Sequence, residues 1–568
     1  MFVRILTVRN GSRTYRYLKL VENHTVNGHT VQKTLVNLGN ADRWTDERLE
    51  QAVATLSDFV GLPWSRLEQV RVGQPLQLGP YLALGQIWDE LGMDDIIGRA
   101  LAGREIEIPV AQYVRAMVFH RLVDPCSKLA LHRSMADRIL VPGLEPSDLP
   151  LHGYYRSLEY LAGVKRTVEK SLYGRLGNLF NRDVSLVFYD LTSTYFEGRG
   201  CSMARHGYSR DHRGDLLQVQ VGLLVDGDGV PIGHEVFPGS MRDASTVLQA
   251  LRGLEQDFGV RRCVFVGDDC MSTEDNLRQI TERGYEYITS LSLRHSRIGT
   301  ALLRRLPPLR AFRPVLDNLM VMELEGTSNF STGEHCRGPS DNVAATELQG
   351  VGDGVRYIAS YNPDRAEANC RARLRRLREA VDGLRALGER PGRRDVTVRA
   401  AEVLKHTRCH RLIILDHDDA GRLIWRLDRE ALRLERAQDG LTILRTNSAS
   451  MTAEQIALAY RRLWIVEDAF RHLKDPICLR PIRHWKDPRV LGHIFVCVLA
   501  YMLERLLEMR LRQAGVRDSA RTALDDLSGL SVVTLDLDGR QVRRRSEISP
   551  SQQTYLAAAG VKHVPELW

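Results

Sequence analysis

Val184-Ser-Leu-Val-Phe-Tyr-Asp190 reads as a buried β-strand that ends in a carboxylate. A second apolar run covers residues 216–225, Asp226-Gly-Asp-Gly229 turns the chain, and residues 230–237 bring it back. Three strands therefore form an antiparallel meander. A helix over residues 244–258 leads to a short strand, Arg262-Cys-Val-Phe-Val266, which delivers Asp268. Ser272, with Asp275 three residues on, marks a helix start, and residues 286–291 make a fifth strand. The order βββαβαβ predicts an α/β domain built on a mixed sheet.

The rest of the chain arranges itself around that core. Residues 1–43 alternate with period two, and Asn27-Gly28 marks a hairpin turn in this small β unit. Residues 44–180 carry helical spacing punctuated by Pro and Gly, which fits a DNA-reading region or equally a plain helical scaffold. The core proper opens at residues 181–291. Residues 292–451 hold strand signals at 319–324, 356–361, 411–415, 422–427 and 441–445, with a charged helix over 365–387. A span of that length is no loop, so it is expected to be an inserted, mostly β subdomain. Residues 452–510 return to the core with helices, and residues 511–568 form a C-terminal tail region.

Within residues 452–474 the apolar positions Ile456, Ala459, Leu463, Val466, Phe470 and Leu473 follow one another at spacings of 3-4-3-4-3, which predicts one helix with a single buried stripe. Tyr460, Glu467 and Lys474 each follow a stripe residue and line one flank. Alone, this is as readily an amphipathic helix with a charged margin. The strand-end aspartates change the reading. If the strands carrying Asp190 and Asp268 are neighbours, their carboxylates converge, and Glu467 can join them. Three carboxylates at one point repel unless a cation is present, which points to hard divalent ions with oxygen ligands, Mg²⁺ foremost. Two such ions about 4 Å apart activate a water or a DNA 3′-hydroxyl and stabilise the leaving oxygen of a phosphodiester. Lys474 and Tyr460 would then hold phosphate oxygens by charge and by hydrogen bond. Taken singly, Asp190 is as readily a turn carboxylate, and Asp268, beside Asp269, a helix cap.

Composition sets the class of partner. Lys plus Arg number 79 against 71 Asp plus Glu, a net charge of +8 with pI near 9.0, which suits an anionic partner. At 43% hydrophobic and 26% charged residues, the chain belongs with soluble globular proteins, and no membrane association is expected. Nine scattered cysteines without a Cys-x-x-Cys pair indicate a reducing compartment, the cytoplasm. Arg471, Lys474, Arg480, Arg483, Lys486 and Arg489 form a basic series after Glu467, suited to backbone phosphates or to a solvated margin.

Tyr460-Arg-Arg-Leu-Trp-Ile-Val-Glu-Asp-Ala-Phe-Arg-His-Leu-Lys474 resembles the Tyr-Arg-Glu-Lys signature of DDE transposases from bacterial insertion sequences. Phe188-Tyr-Asp-Leu-Thr-Ser-Thr-Tyr-Phe196, Gly222-Leu-Leu-Val-Asp-Gly-Asp-Gly-Val-Pro-Ile-Gly233, Phe237-Pro-Gly-Ser-Met-Arg-Asp243 and Leu479-Arg-Pro-Ile-Arg-His484 carry the likeness further, over about residues 2–503. The resemblance implies an RNase H-like catalytic core with a β insertion before the last acid, and Asp190, Asp268 and Glu467 as metal ligands. It also implies two Mg²⁺ ions, with Mn²⁺ able to substitute, and double-stranded DNA as partner, both terminal inverted repeats and target. A homodimer would bring two ends together, on the bacterial nucleoid. The signature's Arg falls at Leu463, so its contact is absent or supplied by Arg462 or Arg471. The second acid sits in Asp268-Asp269-Cys270, where relatives carry an Asp-Arg-Gly-like sequence. Trp425 is a candidate to receive an extruded base, or else a buried strand residue. A decayed relative that only grips DNA, and an RNase H-like nuclease that cuts without joining, are the rival expectations.

Overall fold

The computed structural model describes residues 1–26, 29–61, 70–180, 185–269, 273–293, 297–324, 354–387, 394–418, 422–537 and 540–566. At the N-terminus, β1 (Phe2–Asn10), β2 (Arg13–Val26) and β3 (His29–Asn40) form an antiparallel sheet with β2 in the centre. The predicted turn at Asn27-Gly28 lies outside the described residues, though β2 and β3 pair up to Val26↔His29 on either side of it. Helix Asp46–Phe59 follows, its first turn capped by the Thr45 hydroxyl, which accepts from the Arg48 N–H at 3.4 Å. Two short strands come next, β4 (Arg71–Val72) and β5 (Leu76–Gln77).

The predicted meander is β6 (Leu186–Tyr195), β7 (Gln218–Asp226) and β8 (Pro231–Pro238), paired at Phe188↔Val225 and Val221↔Val236. Its turn is closed by the Asp226 carboxylate, which accepts from the Asp228 and Val230 N–H groups, both at 2.9 Å, while Gly229 takes φ +79°. The helix expected over residues 244–258 is less regular. A 3-10 turn (Asp243–Ser245), an α-helix (Val247–Arg252) and a π-helical turn (Gly253–Asp257) share that stretch. β9 (Val264–Gly267) then runs parallel to β6, and β10 (Glu286–Leu291) parallel to β9. The intervening helix Glu274–Glu282 begins on Thr273, whose hydroxyl accepts from Asn276; Ser272, the expected start, lies outside the described residues. Across the sheet the order is β8-β7-β6-β9-β10, mixed as expected.

The expectation of a mostly β insertion is corrected. Its strands are β11 (Arg313–Leu316), β12 (Leu319–Glu323), β13 (Arg356–Tyr361), β14 (Ile413–His417), β15 (Leu423–Leu427) and β16 (Leu441–Thr446). β16 pairs antiparallel with β10, and β13, β12 and β11 continue outward, so four of the six extend the core sheet to nine strands. The reason is that β13 and β16 are apolar on both faces, with Tyr357 and Ile358, and Ile443 and Leu444, all buried, and only a central sheet covers both faces. What stands apart is largely helical: Pro363–Leu387 (25 residues) and Arg394–His406 (13 residues) pack with the β14–β15 hairpin around Ala380, Leu384, Leu404 and Ile413.

Two further boundaries move. Helices Gly79–Leu91, Val110–Val123 and Leu151–Gly163 pack against the long helix Asp487–Gln513, and all share one core with a face of the sheet. Helix Asp487–Gln513 is long and apolar enough to cross a membrane, but 89% of its most apolar window is buried, so it is the hub of the fold. The expected C-terminal tail is folded instead. Helix Ala520–Leu527, β17 (Ser531–Leu537), β18 (Arg540–Arg545) and helix Pro550–Ala559 close on the chain's early part, β17 pairing with β4 and β5. Its apolar residues, among them Leu524, Leu527, Leu556 and Ala559, are spaced for burial in that core.

Candidate active site

Sheet register decides where the acids stand. β6 and β9 are parallel with Phe188 beside Val266, the last pair of their ladder, and Asp190 and Asp268 each follow two residues on. Side chains alternate along a strand. Asp190, within β6, therefore shares the face of Phe188, which with Val266 of β9 is buried in the core that also holds Val466, Phe470 and Leu473. β10 lies on the other side of β9, and its Ser290 hydroxyl is 3.5 Å from Asp268 Oδ1. β6 runs on to Tyr195, so Asp190 stands within the strand and not at the end the sequence suggested, because Leu191 to Tyr195 go on pairing with β7; Asp268 does follow the end of β9 directly, and Glu467 lies near enough for its charge to act on Asp190.

Electrostatics ties the third acid to the first. Burial pushes the Asp190 carboxyl up to about 7, with the charges of Asp268 and Glu467 adding to the effect. Opposing it are a 2.7 Å hydrogen bond from the Leu191 N–H and the charge of Arg210. Burial also raises Asp268, and the adjoining Asp269 adds to that. Glu467 itself is exposed. Among the described residues no three His, Cys, Asp or Glu side chains already meet at ligand spacing. The donors are all carboxylate oxygens, and an acid whose charge is disfavoured first by burial and then by like neighbours is what a hard divalent cation relieves, so the residues fit such a group.

The segment expected as one helix is two. Ala453–Arg461, with the capping box Thr452/Gln455, ends in a turn at Arg462 and Leu463, and Trp464–Lys474 resumes. The backbone bonds there run three residues back, Leu463 to Tyr460 and Val466 to Leu463, which tightens the turn. The stripe survives: Ile456, Ala459, Leu463, Val466, Phe470 and Leu473 are all buried. Leu473→Ala is expected to cost about 2–5 kcal/mol through loss of packing under the Glu467 helix. Chemical denaturation would read this, and Leu473→Met should cost less than about 1.5 kcal/mol.

Tyr460 is half-buried with its hydroxyl at Ser290, and burial pushes its phenol up to about 12, so it stays a hydrogen-bond donor. Lys474 is drawn to a partner absent from the sequence reading: its Nζ lies 2.8 Å from Asp211 Oδ1, and Arg480 bonds the same oxygen. Leu463, at the signature's Arg position, is core. Of its stand-ins, Arg462 donates to the Gly227 carbonyl and Arg471 pairs with Asp468 at 3.0 Å. Arg483 pairs with Glu197 at 2.9 Å, and Arg489 with Glu159 at 2.6 Å, where Lys486 also reaches. Trp425 lies partly buried against the small core of the insertion, as a strand residue would. Arg210 and Asp211, in the stretch between β6 and β7, went unread because acid–base spacing in a loop carries no period. Their only signal was the density of charge in Arg210-Asp-His-Arg-Gly-Asp215.

The family model described as "Transposase DDE domain" matches residues 185–503, more than half of the 568 residues. The model of the "IS1634 family transposase, N-terminal domain" matches residues 3–63, which spans the three-stranded sheet and helix Asp46–Phe59. None of the curated proteins matches the chain. Among solved structures it is similar to a piggyBac transposase in a synaptic complex with hairpin DNA, at TM-score 0.37 and 9% identity over 81% of this chain and 82% of that one. On the family match, which runs from the strand bearing Asp190 through the helix bearing Glu467 and beyond, the chain belongs to the DDE transposases of insertion sequences.

Proposed function

We propose that the chain cuts DNA at the ends of its own element and joins the freed 3′ ends to target DNA, with Asp190, Asp268 and Glu467 holding two Mg²⁺ ions that Mn²⁺ can replace. The observation that carries this is the Asp190 carboxyl on β6, neighbour of the strand that delivers Asp268: burial first, and then the charges of Asp268 and Glu467, push it up to about 7. Bound there, the ions would supply an activated water or 3′-hydroxyl and charge relief at the leaving oxygen. The chain's own groups do the rest. Tyr460 donates to a non-bridging phosphate oxygen, Lys474 holds a second by charge, Arg480 reaches a phosphate with its remaining donors while tied to Asp211, and Arg462, Arg471 and Arg483 exchange their internal partners for backbone phosphates.

The βββαβαβ order and mixed sheet support reading the core as RNase H-like, opening with β6 and completed after the insertion by the helix that bears Glu467. In this reading the N-terminal unit and the helices ahead of the core grip the terminal inverted repeats, and a homodimer holds two ends on the cytoplasmic nucleoid. Trp425, packed as a strand residue, is a weaker candidate for an extruded base than the residues around the acids.

The test is direct. Purified protein is incubated with a labelled candidate end and Mg²⁺, and nicked, then joined, products are expected. Nicking without joining would make it a nuclease on the same fold, and binding without nicking a decayed relative.

A further inference from the structure

Between β6 and β7 the chain folds back over the active site, and one residue of that stretch faces the basic wall. The Arg210 N–H donates to the Ser193 hydroxyl at 2.9 Å, three residues after Asp190 on β6, and the Arg210 guanidinium pairs with Asp243 at 2.9 Å. Arg213 lies 5.4 Å over the Tyr195 ring. These ties fix the stretch to the strand and aim Asp211 the other way. Asp211 Oδ1 accepts from Lys474 Nζ at 2.8 Å, at the end of the Glu467 helix, and from Arg480 Nη1 in the stretch that follows it. The Asp211 side chain is only 3% exposed, and Oδ2 is buried without a partner. A carboxylate left half-satisfied in the interior is costly, and here the groups that compensate it are the two cations.

We infer that Asp211 is a positioning residue for strand cleavage: its buried carboxylate ties Lys474 and Arg480 together and holds them toward the phosphate next to the acids. The inference rests on the proposed role of Lys474 in holding phosphate. Burial drives the Lys474 ammonium toward its neutral form, and the charges of Arg480 and Arg210 push the same way. Asp211 is the anion that opposes all three. A neutral amine there would lose its hold on phosphate, and an ammonium without this tether would sample other rotamers.

Asp211→Asn keeps the size of the side chain and removes its charge. The variant is expected to cleave a labelled DNA end about 10- to 100-fold more slowly at neutral pH, the range found when a group that orients a site residue is removed. The loss should fall on kcat rather than on KM, and the alkaline limb of the pH–rate profile should move to lower pH. Asp211→Glu should restore part of the rate, and Asp211→Asn should add nothing to Lys474→Ala. An unmoved alkaline limb, or an equal loss in the Lys474→Ala background, would leave Asp211 a mere tie between loops and overturn the inference. NMR of ¹³C-lysine-labelled protein, with Lys474→Arg for assignment, reads the lysine without activity. There Asp211→Asn should shift the Lys474 titration downward, and an unshifted titration overturns the inference even if the catalytic reading stands. Absence of cleavage by the unaltered protein would instead sink the catalytic reading, which the lysine titration does not touch.

Discussion

Glu467→Ala is expected to slow cleavage of a DNA end by about 10³-fold or more, while affinity for that end and the melting temperature stay near those of the unaltered protein. The large loss follows if the carboxylate completes a metal site, because a bound divalent ion contributes several kcal/mol of charge stabilisation and each 1.36 kcal/mol is tenfold in rate. The small change in stability follows from position. Glu467 is exposed on the helix Trp464–Lys474, whose anchoring comes from Val466, Phe470 and Leu473 on the buried side. Substitutions of exposed side chains usually fall within about 0.5 kcal/mol. Single-turnover cleavage and gel-shift binding, with a melting curve as control, separate the two effects. A variant that melts early and binds weakly would make Glu467 structural.

Asp190→Asn carries the second large effect, and its sign in stability is opposite to that in activity. Asp190 titrates at about 7 in the folded chain against 3.8 ordinarily. The folded value lies above the unfolded one, so the protonated form favours folding: this contribution is complete below about pH 4 and is lost as pH rises through 7. Above pH 7 the ionised carboxyl costs on the order of 4 kcal/mol in the metal-free protein. Asn has the same shape and no charge, so Asp190→Asn should melt several degrees higher at pH 8, with the gap narrowing toward pH 4. Mg²⁺ should then raise the melting temperature of the unaltered protein and leave the variant unmoved, by the linkage of binding to folding. Cleavage should fall by about 10³-fold or more on the same metal argument. If the variant melts lower at pH 8, or nicks DNA at the normal rate, Asp190 is a turn carboxylate and the site lies elsewhere.

Much of the core could be read beforehand because its signals are local. Residues 184–190, 216–225 and 230–237 are apolar runs, and they became β6, β7 and β8, though β6 runs on past Asp190 to Tyr195, because Leu191-Thr-Ser-Thr194 is also buried and pairs with β7. The stripe under Glu467 is buried at each of its six positions, since burial follows periodicity even where the helix is interrupted. The interruption at Arg462 and Leu463 was not legible, because a tightened turn keeps the same side chains inward and leaves the pattern intact. Nor was the fate of β13 and β16. A buried strand looks alike in a separate subdomain and in the central sheet, and only its pairing with β10 tells the two apart.

By itself the sequence determined which residues carry charge and which must be buried, and hence the strands, the stripe and the candidate acids, because those depend on neighbours a few positions away. Only the tertiary structure decided that β6 and β9 lie side by side, so that Asp190 and Asp268 come from neighbouring strands although 78 positions separate them, and that Asp211 reaches Lys474 across 263. Such pairings are set by packing across the sheet and by the exclusion of water between elements. No short-range spacing encodes them.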